Sequence, residues 1–249
     1  MNRPTVVSRS EWLAARKELL IREKDFTRQR DALSAARRRL PVVELSKEYV
    51  FEGPDGPATL RELFQGRRQL IVYHFMLDPS WEEGCRGCSF VMDNLAGNVA
   101  HLAARDTSFV AISRAPVAKI ERFKKRMGWA VPWFSSFGND FNYDFHVTLD
   151  PKHGDYVYNY SDVAANVKAG KRLPSSGEAP GLSVFLRDGE SVFHTYSMYG
   201  RGLDIFLNAY NLLDLTPLGR QEEPGKGMAW LRHHDRYEPQ VAAAQCHCA

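Results

Sequence analysis

The sequence predicts an α/β fold, a mixed sheet with helices on both faces, and three observations carry that prediction. The runs QLIVYHF (69–75) and SFVAIS (108–113) are continuous apolar stretches suited to strands covered on both sides. Segments of helical spacing follow them, CSFVMDNLAGNVAHLAAR (88–105) and APVAKIERFKKRMG (115–128), an alternation that implies parallel strands joined by helical crossovers. The stretch GLSVFLRDGESVFHTYS (181–197) is two apolar runs around Asp188-Gly189, the signal of an antiparallel hairpin that completes the sheet.

Before these elements lies a long helix. Ser8 is followed three residues later by Glu11, a capping box, and neither Gly nor Pro interrupts the chain until Pro41. Trp12, Leu19, Phe26, Leu33 and Leu40 recur every seven residues, a narrow apolar stripe that packs on the chain's own domain or forms a homodimer seam. Residues 1–41 therefore read as a helical arm and 42–215 as the main domain. Within it KEYVFEGPDGPATLRELF gives strand, turn, second element and small helix, and VPWFSS (131–136) another strand. Residues 138–178 are rich in aromatics and turn formers without clear periodicity, an insertion that closes over the sheet. RGLDIFLNAYNLLDLTP reads as the last helix, and 216–249 as a polar tail with a docking segment at Met228 to Tyr237.

With 44% hydrophobic and 25% charged residues, the composition is that of a soluble globular protein. No apolar stretch approaches the roughly 18 residues of a membrane span. Arg9, Glu11, Arg16 and Lys17 break the start as a secretory signal, so the expectation is a cytoplasmic protein. The net charge of +3 is small and its positive excess is confined to the first helix, which argues against nucleic acid as a partner.

Four cysteines are too few for a disulfide scaffold, and they form two tight pairs, Cys85 with Cys88 and Cys246 with Cys248. Cys85 and Cys88 stand where a buried strand gives way to a helix. There the first thiolate would be stabilised by free N–H groups and the helix dipole, and Arg86 would add positive charge. The spacing lets Cys88 resolve a mixed disulfide at Cys85, with no cofactor needed. Two other readings stay open: half of a copper or zinc site completed by His146, His74 or the Cys246-His247-Cys248 tail, and a pair of inert core residues. Asp140, Tyr143 and His146 are candidates to relay a proton or grip a ligand. His74 reads as a core or a catalytic residue. His194 and Tyr196 should share one face of a hairpin strand with Val192, packing under the last helix. His233, His234 and Asp235 read as surface residues.

Taken together, LIVYHF, the Cys-x-x-Cys opening a helix, FVAIS, SSFGNDFNYDFHV and GLSVFLRDGESVFHTY resemble the thioredoxin-like superfamily. With VVSRSEWLAARKELL, WEEGCRGCSF, SRAPVAKIERFKKRMGW and NLLDLTPLGR, the stretch from about residue 5 to 237 is similar to the bacterial family of domain of unknown function 899. The resemblance implies a thioredoxin-like three-layer sandwich and a thiol-disulfide oxidoreductase with an unknown thiol or disulfide substrate and electron donor. It also implies a cis proline beside the cysteines, for which Pro180 is the candidate, and a substrate groove involving Trp81, Arg86, Tyr143 and Pro180. The sequence departs from thioredoxins in placing Trp81 four residues before Cys85 and Arg86-Gly87 between the cysteines. It departs from peroxiredoxins in having Trp81, Glu82 and Glu83 where those enzymes carry a Thr. On this reading the aromatic insertion around Phe141 to Tyr160 selects the substrate, and Cys246 and Cys248 shuttle electrons to Cys85 and Cys88.

Overall fold

The computed structural model describes residues 5–171 and 174–238. By contact the chain divides into Met1–Val42 and Val43–Ala249. The first unit is built on helix α1, Arg9–Arg37. Its capping box is reciprocal, with Glu11 N–H donating to Ser8 Oγ at 3.3 Å and Ser8 N–H donating to Glu11 Oε2 at 2.9 Å.

In the second unit the chain runs β1 (Val43–Glu44), β2 (Val50–Gly53), β3 (Gly56–Thr59), β4 (Gln69–His74), α2 (Arg86–Leu95), α3 (Val99–Ala103), β5 (Thr107–Ser113), α4 (Val117–Arg126) and β6 (Trp133–Ser135). The insertion follows as α5 (Phe141–Asp144), β7 (Thr148–Leu149), β8 (Val157–Tyr158), β9 (Ser161–Asp162), α6 (Val163–Lys168) and β10 (Gly177–Glu178). The hairpin β11 (Gly181–Asp188) and β12 (Ser191–Tyr199) and helix α7 (Asn208–Leu213) complete the domain, and short 3₁₀ turns carry the chain onward.

Among the described residues the main sheet has eight strands in the order β1-β12-β11-β4-β5-β6-β2-β3. Strands β4, β5 and β6 are parallel, and β11 lies antiparallel to β4. The inner order β12-β11-β4-β5, with the cysteine pair following β4, is the thioredoxin-like arrangement. Alternate residues of the buried strands feed two cores. Tyr73, Phe109 and Ala111 join one with α2 and α4, while Leu70, Val72, Val110 and Ile112 join the other.

Both crossover helices lie on the first face, while α5 and α6 contribute Phe141 and Val163 to the core on the other, so the sheet carries helices on both faces. Because β4, β5 and β6 advance across the sheet in one direction, right-handed connections place α2 and α4 on the same side. The opposite face is covered by the insertion, whose Phe141, Phe145, Val147, Leu149, Tyr158 and Val163 are all buried. Its Phe141, Phe145 and Tyr158 belong to that core, with Phe141 packed edge-on against Phe51 at a centroid distance of 4.9 Å.

His194 and Tyr196 do not share a face. Pairing of β11 with β12 slips between Val184 and Phe185, so that Tyr196 faces Val184 and His194 faces Phe185 with Thr195 left over. That bulge sends His194 against Phe145 and Phe185 and leaves Tyr196 in the other core. No helix among the described residues is long and apolar enough to cross a membrane.

At the site end of the hairpin, Gly181 pairs with His74 on one side and Tyr199 on the other. A Cβ there would sit 2.9 Å from both the Tyr199 ring and Val147 Cγ1. Gly181→Ala is therefore expected to destabilise the fold by about 1–3 kcal/mol, read as a lower urea midpoint with an unchanged m-value.

Candidate functional site

At the end of β4 the chain leaves the sheet but stays anchored to it. Phe75 N–H donates to Ile112 O at 2.9 Å, and Ser113 Oγ donates to Phe75 O at 2.6 Å. The following loop is stitched from outside by Lys119 of α4, whose ammonium donates to the carbonyls of Pro79 and Trp81, each at 2.7 Å. Gly84 lies so close to two aromatic rings that a Cβ would fall 2.5 Å from Phe75 and 2.7 Å from Phe123, which explains the glycine. Its carbonyl accepts from His233 Nε2 at 2.9 Å, and Cys85 N–H turns back to Met76 O at 3.0 Å. These contacts place Cys85 as the N-cap of α2, with its carbonyl taking the N–H and the hydroxyl of Ser89, both at 2.9 Å.

The two sulfurs have different surroundings. Cys85 is partly exposed, whereas Cys88, one turn into the helix, is 2% exposed. The Cys88 thiol donates to Cys85 and is the main reason that Cys85 is lowered to about 6. Against burial, the backbone N–H groups of Cys88 and Gly87 and the charge of Arg86 pull the same way. Burial pushes Cys88 up, so its proton stays on. Met76 N–H donates to Cys88 Sγ at 3.4 Å, and the buried Tyr73 hydroxyl, without a hydrogen-bond partner of good geometry among the described residues, faces the same thiol. Cys85 is thus the more acidic and more accessible thiol of the pair, and Cys88 the buried, protonated one.

A second titratable cluster lies on the segment leading into β11. Glu178 is 4% exposed and accepts from Arg114 at 3.1 Å, Thr148 Oγ1 at 3.0 Å and Asn142 Nδ2 at 3.3 Å. Burial nevertheless outweighs Arg114 and pushes its carboxyl up to about 7.

Of the residues singled out in the sequence, Trp81, Cys85 and Arg86 line one cleft. Tyr143 is not among the residues lining it; its ring stacks on His153 at 3.8 Å beneath the Arg114 guanidinium. Pro180 is joined by a trans bond, since no cis peptide occurs among the described residues, which corrects the cis proline that the resemblance implies. The chain is fixed there by Ala179 N–H to Val147 O at 2.8 Å and by Tyr158 hydroxyl to Pro180 O at 3.0 Å. Among the described residues no three His, Cys, Asp or Glu side chains are grouped to hold a metal, and His146 is not grouped with Cys85 and Cys88. Cys246 and Cys248 lie outside the described residues.

His74 is a core residue, its Nε2 at 2.8 Å from Ser183 Oγ, and burial lowers it to about 3 so that it stays neutral. His233 is a correction. It is buried at 3% exposure because the chain there is extended, which turns Leu231 and His233 inward and Arg232 and His234 outward. Sequence reasoning missed Lys119, Glu178 and Tyr73. Only the isolated acid of GEAPG, directly before a buried strand, gave a local signal.

The family model described as "Bacterial protein of unknown function (DUF899)" matches residues 1–237. No curated protein matches the chain. Among solved structures, peroxiredoxin Q of Xanthomonas campestris is 16% identical, with a TM-score of 0.40 over 64% of this chain and 87% of that one. A PrxQ mutant of Xylella fastidiosa is 12% identical, with a TM-score of 0.42 over 70% of this chain and 94% of that one. A secreted Mycobacterium tuberculosis disulfide oxidoreductase homologous to E. coli DsbE is 14% identical, with a TM-score of 0.36 over 64% of this chain and 92% of that one. At these scores the likenesses carry no residue's role to this chain.

Two titrations follow from the site. Alkylation of reduced protein by iodoacetamide, with Cys85 modification read by peptide mass, should rise with pH through a midpoint near 6. In Cys88→Ala the midpoint should move up toward the ordinary thiol value of 9.0, because the main hydrogen bond to the thiolate is gone. Glu178, raised from 4.5 to about 7, makes folding take up a proton between those values. Its contribution to stability is full below pH 4.5 and is lost as pH rises through 7, an effect on the order of 3 kcal/mol. Glu178→Gln should flatten that part of the stability profile in urea titrations across this range.

Proposed function

The chain belongs to the bacterial family DUF899, and on that premise we propose that it is a thioredoxin-fold thiol-disulfide oxidoreductase working in the cytoplasm on thiol or disulfide partners. One observation carries the reading: a partly exposed Cys85 stands as the N-cap of α2 with Cys88 buried behind it one turn into the helix, an arrangement that lowers the first thiol and raises the second. An inert core pair would not hold one sulfur as a thiolate at neutral pH. The reading needs no cofactor. A second copy joined along the heptad stripe of α1 is the assembly that this stripe supports.

The chemistry proceeds in two exchanges. Cys85 thiolate attacks a disulfide, a bond forms between Cys85 and one half of the substrate, and the other half leaves as a thiolate. Cys88 then gives up its proton and attacks Cys85 Sγ, forming the internal disulfide and expelling the second half. The protein dithiol loses two electrons and the substrate gains them; an external dithiol returns them.

In a Cys246→Ser, Cys248→Ser background, oxidation should remove both remaining thiols and dithiothreitol should restore them. Adding Cys88→Ser should trap a mixed disulfide at Cys85 that intact mass detects. Retention of both thiols after exposure to excess disulfide would contradict the reading.

A further inference from the structure

The cleft beside Cys85, about 440 Å³ in volume, has an apolar wall in Trp81 and a strongly basic rim. Its one lining carboxylate, Glu83, is already engaged: Arg126 donates to it at 2.8 Å, Arg236 bonds it too, and His233 Nδ1 lies 3.5 Å away. Arg126 in turn holds Asp235 at 2.7 Å, so within this network the charges of Arg126 and Arg236 are balanced by Glu83 and Asp235.

Two cations at the same rim are outside that balance. Arg86 Nη1 and Arg232 Nη1 converge on a single neutral acceptor, the carbonyl of Leu231, at 3.1 Å and 3.0 Å. The Arg232 guanidinium makes one further bond, to Ala229 O at 3.0 Å, and neither guanidinium meets a carboxylate in an ion pair among the described residues. Two like charges brought onto one carbonyl repel each other, and a bound anion would relieve the repulsion. Planar guanidinium forks are matched to carboxylates. Arg86 stands next to Cys85 in the chain, so an anion held there sits beside the attacking sulfur.

We propose that this cleft selects small acidic disulfides, clamping a substrate carboxylate between Arg86 and Arg232 while Cys85 attacks the adjoining sulfur. The inference rests on the oxidoreductase reading and adds the substrate class. The volume lies within the range of small-molecule sites, roughly 300–1,000 Å³. Cys85 bonds to the clamped half, the other half leaves as a thiolate, and Cys88 then displaces the clamped half as an acidic thiol. The small disulfide is the two-electron oxidant and an external dithiol the reductant.

The test uses the full chain with Cys246→Ser and Cys248→Ser, reduced, and follows its oxidation by three probes: dithiodiglycolate, an anion; hydroxyethyl disulfide, neutral; and cystamine, a cation. Each rate is divided by that of the same probe with a free model thiolate. The expected order is anion over neutral over cation, with about tenfold between the first two, the size of a charge-assisted hydrogen bond. Arg232→Gln should collapse the ratio, Arg232→Lys should retain part of it, and Arg187→Gln, at the far end of β11, should leave it intact. Added salt should shrink it. Equal normalised rates, or a preference that survives Arg232→Gln, would overturn the substrate class while leaving the oxidoreductase reading standing. Failure of every probe to oxidise the pair would overturn both.

Discussion

A buried thiol that donates its hydrogen to a partly exposed sulfur is the interaction around which the rest of this molecule is arranged. Cys88 can donate because burial keeps it protonated, and Cys85 can accept as a thiolate because it stands at the first turn of α2, where N–H groups are unclaimed by the helix. Neither condition is local to the two residues. Burial of Cys88 depends on the core that α2 shares with β4 and β5. The position of Cys85 depends on a loop held from outside by Lys119 and His233 and closed within by the Met76 carbonyl.

The thioredoxin-like order supplies the frame for this arrangement. Strand β4 delivers the cysteine loop at the edge of the sheet where β5 ends and β11 begins, which is also where Arg114 and Glu178 meet. Because both crossover helices are on one face, the opposite face had to be closed by other means, and the insertion does this with aromatic side chains. The segment after α7 then returns to the cysteine loop, burying Leu231 and His233 and leaving Arg232 at the mouth of the cleft. A tail that looks merely polar in sequence thereby shapes the cleft beside Cys85.

Much of this was legible in the sequence wherever one strong local signal sufficed. The buried strands announce themselves as apolar runs, the hairpin by Asp188-Gly189, α1 by Ser8 and Glu11, and the place of the cysteine pair by the passage from strand to helix. The rest depends on relations a linear reading does not contain. Periodicity fails in residues 138–178 because Phe141, Phe145 and Tyr158 are buried from short, irregular elements. A single extra residue, Thr195, reverses the faces of His194 and Tyr196. His233 was misread because adjacent histidines imply a different geometry on a helix than on an extended chain. Glu178 acquires its character from Arg114, Thr148 and Asn142, which lie between 30 and 64 residues away in sequence.

The reduction potential of the Cys85–Cys88 pair, measured in defined thiol-disulfide buffers, tests the central claim most directly. A stabilised Cys85 thiolate favours the reduced form, so the account predicts a reversible couple less negative than the roughly −270 mV of thioredoxin. A potential below about −300 mV, the range of structural disulfides, or the absence of any reversible couple, would contradict it.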